Sequence, residues 1–256
     1  MGTNLLFMDE CYSEPVDNVG TTISSITGLL LPIEEYDDLL KRFYALLRWK
    51  TNPEPNVYQF APELHGREFL PEEDDERKFK VLEGVVDLIN DSGVRIYRVG
   101  FYVTKAGRKR MAHFGDPKMI GLCWFELLYA LQSVFQDDLL IPVMDGLDAE
   151  IVRKFSQPVK SLDEFRTLGL EGSLSIKNSR NLIGEVFFAD SKYSVFTQLA
   201  DLASYLRNVS DRSREGKVLT PFKKQLLSLS DKLAPSIELD EIRAIRFEGK
   251  LEAPAH

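Results

Sequence analysis

Residues 4–31 read NLLFMDECYSEPVDNVGTTISSITGLLL. Asn4 to Met8 is a short apolar strand that runs directly into Asp9-Glu10, and the Ser-Glu-Pro turn around residue 15 reverses the chain. Thr21 to Leu31, β-branched and then leucine-rich, reads as the returning strand of a hairpin. Pro32 then opens a helix that sets Leu39, Leu40, Phe43, Leu46 and Leu47 on one face at helical spacing, so that face is core. Three prolines between Asn52 and Pro62 interrupt regular structure before Glu63-Leu64-His65-Gly66. The acidic run from Glu72 to Glu76 suits the first turn of a helix reaching Asn90, where the helix dipole favours negative charge.

Val94 to Val103 (VRIYRVGFYV) is the clearest central strand, followed by the basic turn from Lys105 to Arg110. Asp116-Pro117 begins an apolar helix, Leu139 to Met144 is a second buried strand, and Leu182 to Ala189 is another. Ser194 to Asn208 is helical, and Thr220-Pro221 opens a last helix. Strands and helices alternate, so the class is α/β with an antiparallel hairpin at the start. The expected arrangement has Leu5 to Met8 as a central strand neighbouring Val94 to Val103, with Thr21 to Leu31 antiparallel to it. Residues 1–234 form one domain in this reading, and residues 235–256 an appended C-terminal tail.

The 256-residue chain carries 32 Lys and Arg against 40 Asp and Glu, a formal net charge of −8. A general positive coat for holding nucleic acid is therefore excluded, and any polyanion needs a local basic patch. The charge is uneven. Residues 1–91 hold 8 basic and 19 acidic side chains, a balance of −11, while residues 92–256 hold 24 and 21, a balance of +3. Acid-dependent chemistry thus belongs to the first third. Cys11 and Cys123 are far apart and in no C-x-x-C spacing, which fits a reducing, cytoplasmic compartment. The N-terminal apolar run is too short for a signal segment, and the stretch from Met119 to Phe135 falls short of the roughly 20 residues a membrane span needs. No membrane partner is expected, and the oligomeric state is left open.

In this reading three strands end in aspartate: Asp9, Asp145 and Asp190. Each is compatible with turn chemistry, but three of them, with Glu10 beside Asp9, point to a shared acidic site. Along the helix from Ser194, the residues Ser194, Gln198, Asp201 and Tyr205 share a stripe opposite Leu199, Leu202, Ala203 and Leu206. If that stripe meets the strand ends, Asp201 joins Asp9 around a cation. Glu63 and His65, two apart in an extended segment, would point the same way and offer one ligand and one proton carrier. Hard oxygen donors without a thiolate pair select Mg2+ or Mn2+ over zinc. There is no phosphate-binding glycine loop, G-x-S-x-G elbow or H-E-x-x-H helix, which argues against P-loop hydrolysis, serine hydrolase chemistry and zincin proteolysis.

LLFMDECYSEP (5–15), Glu63-Leu64-His65 and FFADSKYSVFTQLADLASYLRN (187–208) together resemble the uncharacterised bacterial domain-of-unknown-function family numbered thirty-eight hundred. Its members open with a strand plus Asp-Glu-Ser and close with Asp-Ser and, after a gap, Gln-Leu-Ala-Asp on a helix. The family is similar to the ribonuclease-H-like superfamily, whose enzymes cut phosphodiesters with acidic side chains and divalent metal. The resemblance implies a ribonuclease-H-like mixed sheet with flanking helices. It marks Asp9 and Glu10 from the opening motif and Gln198 and Asp201 from the closing one, with Glu63, His65 and Asp145 as looser matches. Cys11 stands where the family commonly has Ser.

The expected function is a metal-dependent phosphodiesterase, a nuclease acting on nucleic acid or a nucleotide. Asp9, Glu10, Glu63, His65 and Asp201 form the catalytic group, and Asp9, Glu63, Asp145 and Asp201 hold the metal. Gln198, Lys192, Arg108 and Lys109 contact the substrate. The rival reading is a non-catalytic ribonuclease-H-like binding or scaffold module in a bacterial complex.

Overall fold

The computed structural model describes residues 2–12, 22–51, 74–103, 116–145, 187–189 and 194–244. Within them lie six strands: β1 (Thr3–Tyr12), β2 (Thr22–Pro32), β3 (Arg95–Val103), β4 (Leu139–Asp145), β5 (Phe187–Ala189) and β6 (Ile237–Ala244). Five α-helices accompany them: α1 (Tyr36–Thr51), α2 (Asp75–Asn90), α3 (Asp116–Val134), α4 (Val195–Arg214) and α5 (Pro221–Lys232). The strands form one mixed sheet in the order β5-β4-β1-β2-β3-β6. β2 alone runs against the others, pairing antiparallel with both β1 and β3, while β4, β5 and β6 join by parallel pairing.

Strand alternation divides the core into two layers. Phe7, Leu29, Leu31 and Ile96 face α1, α2, α4 and α5. Leu6, Met8, Ile26, Leu30, Tyr97 and Val99 face α3 through Leu122, Leu127 and Leu131. Most of these side chains are fully buried, each contributing roughly 1.5–3 kcal/mol of transfer free energy. The second layer is tight where the sheet lacks a side chain: a Cβ on Gly28 would lie 2.8 Å from Leu6 Cδ1 and 3.1 Å from Leu127 Cδ2. Helix starts follow local chemistry. Asp74, Ser194 and Thr220 cap α2, α4 and α5, each side chain accepting from a backbone N–H three residues on.

Three expectations change. β1 is central, and β2 is antiparallel to it as expected, but β1 does not neighbour β3. The consecutive antiparallel pairings β1-β2-β3 place β2 between them, and the apolar β4 takes the free side of β1. Asp9 does not end its strand, because β1 continues through Cys11 to Tyr12 opposite Ser25 and Ser24. The expected tail is also no appendage over residues 237–244. β6 extends the sheet parallel to β3, with Asp240 in register with Arg98. Its charged sequence, IELDEIRA, suits a strand on the sheet edge, which disguised it as tail.

Candidate active site

Asp9 shares a face of β1 with Leu5 and Phe7, both packed into the layer that contains α4. Glu10, one residue on, points to the other face, beside the α3 layer that holds its partner Ile26. The structure therefore separates Glu10 from Asp9, and two adjacent acids in a strand do not make one site. Opposite Asp9 is Thr27, opposite Thr27 is Arg98, and opposite Arg98 is Asp240, so one row crosses four strands on the α4 side. On the other flank of β1, Met8 pairs with Met144, and Asp145 follows as the last residue of β4.

Two contacts fix how α4 lies along β1. The Phe7 and Phe196 rings are 5.0 Å apart at centroid, and Asn208 Nδ2 lies 2.8 Å from Cys11 Sγ. Asp9 lies midway between Phe7 and Cys11, and Asp201 falls between Phe196 and Asn208, so the two aspartates occupy the same stretch of the helix-strand seam. Asp201 and Asn208 are seven residues apart and differ by only about 20° around the helix, so Asp201 lies on the side of α4 that reaches β1. Asp201 is half-buried, Gln198 is buried, and Tyr205 packs against the core. The polar stripe read from the sequence is thus not a water-facing one.

A buried ionic network adjoins this seam. Arg98, 1% exposed, donates from Nη2 to Asp211 Oδ2 (2.6 Å) and Ser25 Oγ (3.3 Å), and from Nη1 to Asp240 Oδ1 (3.2 Å). Arg207 donates to the other oxygen of Asp240 and to Ser230 Oγ. Burial disfavours the Arg98 charge, but Asp211 and then Asp240 outweigh it and hold its pKa above the ordinary guanidinium value. Burial also pushes the Cys11 thiol up to about 11; nearby Arg98 opposes that rise and Asp9 adds to it.

Thr27 Oγ1 is buried beside Asp9 without a hydrogen-bond partner. Leaving a hydroxyl so costs about 1–3 kcal/mol. Thr27→Val is therefore expected to raise stability by about 1 kcal/mol in urea denaturation, and a loss of stability would show that the hydroxyl is bonded.

Among the described residues no group of three or more His, Cys, Asp and Glu side chains could hold a metal ion. Glu63, His65, Arg108, Lys109, Asp190 and Lys192 lie outside the described residues, and of Asp145 only the backbone is described. Asp9 and Asp201 are hard oxygen donors of the kind Mg2+ and Mn2+ require, so they fit part of such a ligand set. Sequence reasoning missed Arg98, Arg207, Asp211 and Asp240. A signal was present: Arg98 interrupts VRIYRVGFYV at an inward-facing position, and a cation there needs buried acids to pair with.

No protein-family model, curated protein or solved structure matches this chain.

Proposed function

We propose that this protein is a divalent-metal-dependent phosphodiesterase of ribonuclease-H-like type, a nuclease whose centre is Asp9. The observation that carries the reading is the seam itself. Asp9 sits inside the central strand, next to the strand that ends in Asp145 and on the face covered by the helix that bears Asp201. The order β3-β2-β1-β4-β5, with β2 alone reversed, supports the ribonuclease-H-like assignment that the opening and closing motifs imply.

In this reading Asp9, Asp145 and Asp201 converge from two strands and a helix as oxygen donors, and Glu63 completes the set. Mg2+ or Mn2+ held there would supply Lewis-acid activation of water and stabilisation of the leaving oxygen. His65 carries a proton to or from the reacting oxygen. Gln198 and Lys192 orient the substrate, and Arg108 and Lys109 provide the local positive charge that an acidic protein needs to hold phosphates.

The test is incubation of the full chain and Mn2+ with labelled single-stranded and duplex DNA and RNA and with a dinucleotide. Cleavage is expected, and Arg108→Ala or Lys109→Ala should weaken substrate binding with a shallower dependence on salt. Wild-type protein that neither binds Mn2+ nor cuts any of these substrates would leave the scaffold reading in its place.

A further inference from the structure

Apart from Phe196, which meets Phe7, the buried apolar face of α4 is built from Val, Leu and Ala, which specify the register of the helix only weakly. Phe196, Leu199, Ala200, Leu202, Ala203, Leu206 and Val209 are all buried, and they repeat at three- and four-residue intervals. Sliding the helix by one turn, about 5.4 Å, would put an apolar residue in nearly every place another has left. Such a shift would keep much of the apolar burial at a packing cost where Phe196 leaves Phe7, and it would break every directional bond. Arg98 on β3 reaches Asp211 on α4, Ser25 on β2 and Asp240 on β6, and Arg207 on α4 reaches Asp240 and Ser230 on α5. Two charges of each sign are removed from water in this cluster, and apolar residues of similar volume often serve stability as well or better. The best-attested use of such a buried cluster is to set register.

We propose that Arg98, with Asp211, Arg207 and Asp240, is a positioning device that sets the register of α4 on the sheet and thereby holds Asp201 level with Asp9. The second half of this statement rests on the metal-site reading above; the first does not. A slip of one turn would bring Tyr205 to the level of Asp201 and carry Asn208 off Cys11. The two cysteines report these events separately. Cys11 is half-buried and accepts from Asn208 of α4, whereas Cys123 is fully buried in the other layer, where its thiol donates to Ser24 O. Labelling of Cys123 therefore signals general unfolding, and a rise in Cys11 labelling above the wild-type rate, with Cys123 still unlabelled, signals movement of α4.

The decisive variant is the charge-balanced pair Arg98→Met with Asp211→Leu in the full chain, with Asp211→Asn as the milder second variant. Each is examined for cooperative melting, for alkylation of each cysteine by N-ethylmaleimide at fixed pH, and for Mn2+ affinity by titration. In whichever variant melts cooperatively, Cys11 is expected to react at least about ten-fold faster while Cys123 stays unlabelled, and Mn2+ affinity is expected to fall about ten-fold or more. Arg98→Lys should not restore either value, because a single ammonium cannot present the two-pronged donor geometry of a guanidinium. A folded Asp211→Asn variant, which keeps Arg98 beside Cys11, with wild-type Cys11 reactivity would overturn the proposal. Faster Cys11 labelling in a protein whose wild type binds no Mn2+ would uphold the register device and refute the metal site.

Discussion

Arg98→Ala is expected to cost about 3–5 kcal/mol of stability, the largest effect of any single substitution considered for this fold. The reason is the company it leaves. Asp211 is 4% exposed and would lose its 2.6 Å partner, leaving a carboxylate charge in a site from which water is excluded. Asp240 keeps Arg207, so the damage centres on the Asp211 end of the network. For a chain of this length, a loss of that size corresponds to a fall in melting temperature of roughly 10 °C or more. Pairing Arg98→Met with Asp211→Leu should recover most of the loss, because no buried charge is then left unpaired. Thermal and urea denaturation of the three proteins checks both statements. A shift below about 1 kcal/mol for Arg98→Ala would mean that water reaches the cluster.

Asp9→Asn is expected to remove Mn2+ binding and cleavage together while leaving the fold intact. The substitution keeps size and removes the charge, and losing a ligand should exceed the 10- to 100-fold loss typical of an outer-shell partner. Wild-type protein at a Mn2+ concentration about one hundred times its dissociation constant should gain about 2.7 kcal/mol of apparent stability. The variant should gain almost none, and without metal it should melt within a few degrees of the wild type. Asp201→Asn should behave likewise. Glu10→Gln should not, because β1 turns Glu10 to the other face of the sheet.

The comparison of Asp9 with Glu10 shows what the sequence could and could not convey. Apolar runs and periodicity were enough to find the strands and helices of the described core, because burial on two faces or one leaves a plain composition signal. The partners of each strand were less legible. Whether β1 lies against β3 or β4 depends on contacts between distant residues, and the expectation failed there. β6 was missed for a related reason: a charged edge strand has the composition of a solvated tail until Asp240 is seen against two buried arginines. The stripe of Ser194, Gln198, Asp201 and Tyr205 was visible as polar residues at helical spacing opposite an apolar face. The ionic network was not, because its four members lie in three elements and only their meeting in space gives them meaning.

The measurement that bears most directly on the account is anomalous scattering from crystals of the full chain soaked in Mn2+. The account predicts a peak in the seam between β1 and α4, with carboxylate oxygens of Asp9 and Asp201 among its ligands and lost in Asp9→Asn. A peak elsewhere on the molecule, or none in a crystal that remains well ordered, would contradict it.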